Sequence, residues 1–269
     1  MPRGGHWLSA NRDKAWAELA FLVYSPLWMV AVAAVMLTGW MKTWNDVGYL
    51  AFSIAAGAPA FVIPALMHRR FSPDRPWWDS YWLKLNVWVA ILVFGGTYFG
   101  THYFFDLMGM RYRFPVHWTF ESPVLGRSGQ TVPVFMYPLT QAYFVTYFTV
   151  MTIAYRRLRT RFALGPLGRV AVVLVLAYVT AFMETLAMAN PLIDDYFEYA
   201  DRTRMLLWGS WGYAIYFIIG LPLCFGIDEP DRDGSLHRWS VGRVAFVALA
   251  AYMGILCGLE AWAQLVGPL

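Results

Sequence analysis

The sequence predicts an all-α, polytopic transmembrane bundle of about seven spans. Three observations predict it. Of 269 residues, 59% are hydrophobic and 14% are charged, against about 45–50% and about 25% in a soluble domain. Seven mostly apolar segments each reach the roughly 20 residues that a bilayer-spanning helix needs. Arg and Lys gather in alternate connections between those segments, as a cytoplasmic excess of basic residues requires.

The segments lie near 17–38, 46–67, 81–105, 132–154, 168–189, 205–226 and 242–265. The first carries AVAAVMLTGW and is long enough for a signal anchor; no short apolar region with a small-residue cleavage site precedes it, so no cleaved signal peptide is expected. The second contains Pro59 and Pro64. The third ends in HYFFD. The fourth is the most polar and Tyr-rich, and makes the weakest case for a span. The fifth carries VAVVLVLAYV, the sixth closes on Asp228, Glu229 and Pro230, and the seventh holds Glu260. None of these runs alternates as barrel strands do, so helices are the spanning element.

Arg3, Arg12 and Lys14, then Arg69, Arg70 and Arg75, then five Arg between 156 and 169, then Arg232, Arg238 and Arg243 place 14 basic residues on one side, against six on the other. The N-terminus is therefore expected in the cytoplasm and the C-terminus outside. The longest connection, about 107–131, carries RYRFPVHWTFESPVLGRSGQ and is expected outside, as an ordinary loop, on the membrane surface or as a lid over a site. No internal repeat or second domain is visible, so residues 1–269 read as one integral membrane domain. The excess of Arg over Lys hints at a high-GC genome and favours a bacterial inner membrane; a eukaryotic homologue would sit in the endoplasmic reticulum.

Topology accounts for the net charge of +4, so nucleic acid is not expected as a partner. Membrane lipid is, and the sequence points to no protein partner. Cys224 and Cys257 both fall inside apolar runs, as small buried hydrophobes do. Cys and His show no metal-ligand spacing, and no phosphate-binding or dinucleotide motif appears. No metal and no cofactor are expected.

Ionisable groups inside the membrane are costly and mark functional sites by default. The candidates are Glu18, Lys84, His102, Asp106, Glu184 and Glu260, accompanied by Asn86, Gln141, Tyr98, Tyr213 and Tyr216. Counted from the helix starts, Glu184 lies about 24 Å, His102 about 31 Å, Tyr213 about 12 Å and Glu260 about 27 Å along their helices. With the expected topology all four fall in one outer layer. Glu18, Lys84, Asp228 and Glu229 fall at cytoplasmic ends, where Glu18 reads as a surface partner of Lys14 four residues earlier. Asp106, four residues after His102, reads as a solvated helix end.

AELAFLVYSPLW, GAPAFVIPAL, PWWDSYWLKLNVW, TYFGTHYFFDLMGMRYRFP, RRLR, AFMETLAMAN and DRTRMLLWGSWGYAIYFIIGLPLCFGIDE occur in this order along nearly the whole chain. In order and spacing they resemble the cycloeucalenol cycloisomerase family. The resemblance implies a sterol isomerase that opens a 9β,19-cyclopropane ring to give obtusifoliol, with a C8–C9 double bond and no redox cofactor. Its substrate would be a cyclopropyl sterol. Such chemistry needs a proton donor for C19, a base for the C8 proton and a dry pocket with π-rich walls for the cation at C9. A carboxyl group withdrawn from water keeps its proton until the sterol is placed. On this reading Glu184 is the acid and His102 its partner, as relay or base. Tyr213, Tyr216, Tyr98 and Asn190 would contact the sterol. The alternatives are another sterol or terpenoid isomerase, or a non-catalytic lipid binder or transporter.

Overall fold

A computed structural model describes residues 5–126, 128–231 and 233–267; Arg3, Arg127 and Arg232, used in the charge balance above, lie outside these. Among the described residues the chain forms seven long helices. They are α1 (Arg12–Thr38), α2 (Asp46–Phe71), α3 (Tyr81–Asp106), α4 (Met136–Arg161), α5 (Pro166–Met188), α6 (Arg202–Phe225) and α7 (Val241–Val266). All but α4 are long and apolar enough to cross a membrane, which makes the chain an integral membrane protein.

The polarity of α4 has a physical cause. This helix packs against α1, α2, α3, α5 and α6, and only Val150 and Arg161 on it are exposed. A helix walled by protein can carry Thr, Gln and Tyr, because neighbouring helices supply their partners. Thr146, for example, bonds Ser25 at 2.8 Å and the Trp28 indole at 2.9 Å. Gln141 donates to the Asn86 side chain at 3.2 Å, and Asn86 in turn donates to the Ala60 carbonyl at 3.0 Å. These two candidate polar residues thus lock α2, α3 and α4 together.

Local signals set the helix ends. The side chains of Asn11, Asn45 and Ser240 accept bonds from the backbone of Asp13, Gly48 and Arg243, capping α1, α2 and α7. Gly39, at φ 66°, turns the chain out of α1. Interruptions also matter. Helix α2 breaks at Ala58, ahead of Pro59. Helices α3 and α6 each contain a π-turn, over Gly96–Gly100 and Met205–Gly209, a device common at functional sites. Two strands, β1 (Met110–Tyr112) and β2 (Phe197–Tyr199), pair antiparallel with Arg111 opposite Glu198. They tie the 107–135 connection to the one before α6 and close one end of the bundle.

The opposite, arginine-rich end holds a buried ion network. Lys14, Glu18, Lys84 and Asp228 are fully buried. Arg156 bonds Glu18 at 2.6 Å and Glu229 at 2.7 Å. Lys14 reaches Glu229 at 3.0 Å and the Phe225 and Ile227 carbonyls at 2.8 and 2.7 Å. Lys84 bridges Asp79 and Asp228, each at 2.8 Å. The expected Lys14–Glu18 surface pair is therefore corrected: both residues are buried and each has a different principal partner. Asp228 and Glu229 do more than close a helix, since they anchor α1, α3 and α4 to the connection after α6.

This network carries a pH dependence. Burial pushes the Glu229 carboxyl up, but the Lys14 and Arg156 charges outweigh it and hold the group below its ordinary value. A folded value depressed below the unfolded one, about 4.3, gives stability that is present above the unfolded value and lost as pH falls through the folded one. On the Glu229 contribution alone, the thermal midpoint should drop as pH falls below about 4. A midpoint unchanged at that acidity would contradict the assignment.

Candidate active site

Beneath the β1–β2 cap lies a cavity lined by helices and by both strands. Five helices' worth of sequence is not needed to build it: α3, α4, α5 and α6 supply the walls and the two strands the roof. Glu184 projects into it from α5 and accepts a hydrogen bond from the Tyr213 hydroxyl of α6. The Tyr147 hydroxyl of α4 interacts with the same carboxyl. Glu184 is partly buried, on the side of α5 that borders the cavity. A carboxyl so placed is held by phenols and open to whatever fills the cavity.

Aromatic rings dominate the wall. Phe104, Tyr143, Phe144, Tyr213 and Tyr216 come from the helices, with Tyr112, Phe197 and Tyr199 from the strands. Phe104 meets Tyr213 edge-on at 5.3 Å, and Tyr213 meets Tyr216 at 6.0 Å. Burial, and then the nearby Glu184 carboxyl, raise the hydroxyls of Tyr112 and Tyr199 above the ordinary tyrosine value. They therefore remain neutral donors at working pH. Among the described residues no three His, Cys, Asp or Glu side chains are placed to hold a metal ion.

Small residues on α3 make room for two tyrosines. A Cβ on Gly100 would stand 2.1 Å from the Tyr216 hydroxyl oxygen, and one on Gly95 2.6 Å from the Tyr252 ring. Tyr252 donates to the Gly95 carbonyl at 2.5 Å, while the Tyr216 hydroxyl has no partner among the described residues. Tyr216 is almost fully buried, so it can yield only by moving the cavity wall. Gly100→Ala should lower kcat/KM by about 10–100-fold. Adding Tyr216→Phe, which removes the clashing oxygen, should restore much of the loss to the level of Tyr216→Phe alone. Unchanged kinetics in Gly100→Ala would show that the close approach is unimportant.

The structure brings three of the sequence candidates, Glu184, Tyr213 and Tyr216, into one cavity. It does not bring the others. His102 is buried on α3 behind the wall, under Gly126, whose Cβ would lie 2.8 Å from its ring, and neither ring nitrogen has a partner among the described residues. Its neighbour Thr101 lines the cavity instead. Tyr98 points away and packs on Phe94 and Phe120 at 5.5 and 4.9 Å. Asn190 caps a short turn by accepting from Leu192 N at 3.0 Å. Glu260 is exposed on α7 and pairs with Tyr103. Asp106 is exposed at the end of α3.

Several wall residues have no counterpart among those candidates. Tyr143 and Thr140 sit on the polar fourth helix at helical spacing, with Tyr147 behind them against Glu184, and Tyr112 and Tyr199 come from the connections. The i, i+4 pair of tyrosines was the available signal.

The chain is 35% identical to a cycloeucalenol cycloisomerase of Arabidopsis thaliana, in an alignment covering 98% of this chain and 90% of that protein. No family model and no solved structure matches the chain.

Proposed function

This chain belongs to the cycloeucalenol cycloisomerase family, and from that premise we propose that it opens the 9β,19-cyclopropane ring of a cycloeucalenol-type sterol to the C8–C9 alkene, with Glu184 as the proton donor. That it is an isomerase follows from the family. The single observation carrying the finer reading is the Glu184 carboxyl, held by Tyr213 in an aromatic-walled cavity.

The step balances without a redox partner. Glu184 gives its proton to C19 as the C9–C19 bond pair becomes the new C19–H bond. C9 is left as a tertiary cation, facing phenol and phenyl rings that stabilise it. The C8–H pair then forms the C8–C9 double bond, and the proton passes to the Glu184 carboxylate. The bridging C19 and the C8 hydrogen both lie on the β face of the sterol, so one carboxyl serves as acid and then as base. This gives Glu184 the second role expected of His102. Tyr213 steadies the carboxylate between the two transfers by donating to it. Tyr216 walls the cavity with its ring, and the hydroxyls of Thr97, Thr101 and Thr140 on the same wall are available to bind the sterol hydroxyl. By the positive-inside rule the arginine-rich end faces the cytoplasm and the cavity lies towards the outer side. A bacterial inner membrane remains the favoured location.

Purified protein in lipid nanodiscs, given cycloeucalenol, should yield obtusifoliol, separable by gas chromatography and identified by its mass spectrum. Protein that binds the sterol and leaves it unconverted would move the assignment to another cyclopropyl substrate or to a binder.

A further inference from the structure

A second cavity lies beside the first, between α1, α2, α4 and the capping connections. Its wall includes Val35, Met41, Phe52, Phe114 and Leu139. Among the described residues no charged side chain and no Ser, Thr, Asn or Gln borders it. The Tyr49 hydroxyl there is already committed to the Met41 carbonyl at 3.0 Å. Apart from the polar atoms of Trp44, Tyr143 and Tyr196 the lining is apolar, and such a space suits a saturated hydrocarbon better than a hydroxylated ring.

Met136, Tyr143, Met188 and Phe197 border both cavities. Two of these four are methionines, whose unbranched side chains change rotamer readily. The partition is therefore thin and pliable. Polarity divides across it: Glu184, Thr97, Thr101 and Thr140 all belong to the first cavity. A sterol is divided in the same sense, with a hydroxylated ring nucleus at one end and an aliphatic chain on C17 at the other.

We propose that the two cavities form one substrate site, in which the apolar chamber between α1, α2 and α4 seats the C17 aliphatic chain while the ring nucleus lies against Glu184. This rests on the isomerase reading above and adds what aligns the nucleus: the tail anchors the sterol along one axis, so that its β face meets the acid. The chamber then sets selectivity for the side chain, separately from the chemistry.

The test compares cycloeucalenol with an analogue that keeps the nucleus, the cyclopropane and the hydroxyl but carries hydrogen at C17. Wild-type kcat/KM should favour the full-length sterol by at least about tenfold, the scale on which a hydrophobic pocket discriminates. Leu139→Trp, which fills the chamber, should lower kcat/KM for cycloeucalenol by about tenfold or more and leave the truncated sterol within about twofold. Turnover of the truncated sterol also shows that the variant is folded. Val35→Phe, on the facing wall of α1, gives the same comparison if the tryptophan variant does not fold. An equal fall on both substrates, or no change on either, overturns the chamber assignment while the isomerase reading stands. Failure of the wild type to convert either sterol overturns that reading and the chamber with it.

Discussion

Glu184→Gln should lower kcat by about 10³-fold or more, near the upper part of the 10²–10⁴ range for a positioned general acid, and leave sterol binding almost unchanged. Glutamine has nearly the same shape and still accepts the Tyr213 hydrogen bond. The loss would therefore be of the proton and not of the wall. A strained carbon–carbon bond is a very weak base, so water reaching the cavity cannot replace the missing acid. Product formation and sterol-dependent quenching of tryptophan fluorescence would be measured on the same preparation. Turnover within about tenfold of wild type would remove Glu184 from the mechanism.

The largest effect on stability is expected at Arg156. Its guanidinium bonds Glu18, Glu229 and the Trp7 carbonyl, and only 3% of the residue is exposed. Arg156→Ala leaves two buried carboxylates facing each other with Lys14 as the remaining cation, and should cost about 3–5 kcal/mol, the usual penalty for breaking a buried pair. The thermal midpoint in detergent should fall sharply, and Glu18→Gln added to that variant should recover part of the loss by removing one orphaned charge. Residual folded protein should still convert sterol, because Arg156 does not border the acid cavity. A midpoint equal to wild type would mean that the network does not hold the helices together.

Much of the bundle was legible in the sequence because lipid imposes long apolar runs. The six strongly apolar segments became helices with ends near those expected. The fourth was hardest to read for a reason the fold supplies: a helix enclosed by five others needs no apolar exterior. Depth along a helix was also legible, since it follows from residue count. Facing was not. Glu184 and His102 were assigned to the same layer, yet one opens into the cavity and the other lies under Gly126, because side-chain direction depends on how each helix rotates in the bundle. The π-turn of α3 contributes, shifting the phase of every residue after Gly96. Lys14 and Glu18 misled in another way. Their i, i+4 spacing suggested a local pair, whereas Glu18 bonds Arg156, 138 residues away in sequence. Asn190 sat in a recognisable motif, but its chemistry is that of a turn cap.

The most direct test of proton delivery from Glu184 to C19 is a single turnover in D₂O. Protein exchanged into D₂O and held in excess over cycloeucalenol would be quenched after one conversion and the product analysed by NMR. Obtusifoliol with one deuterium in its C19 methyl group, formed by wild type and not by Glu184→Gln, is the result expected. Obtusifoliol from wild type with no deuterium at C19, or the same labelled product at an undiminished rate from Glu184→Gln, would contradict it.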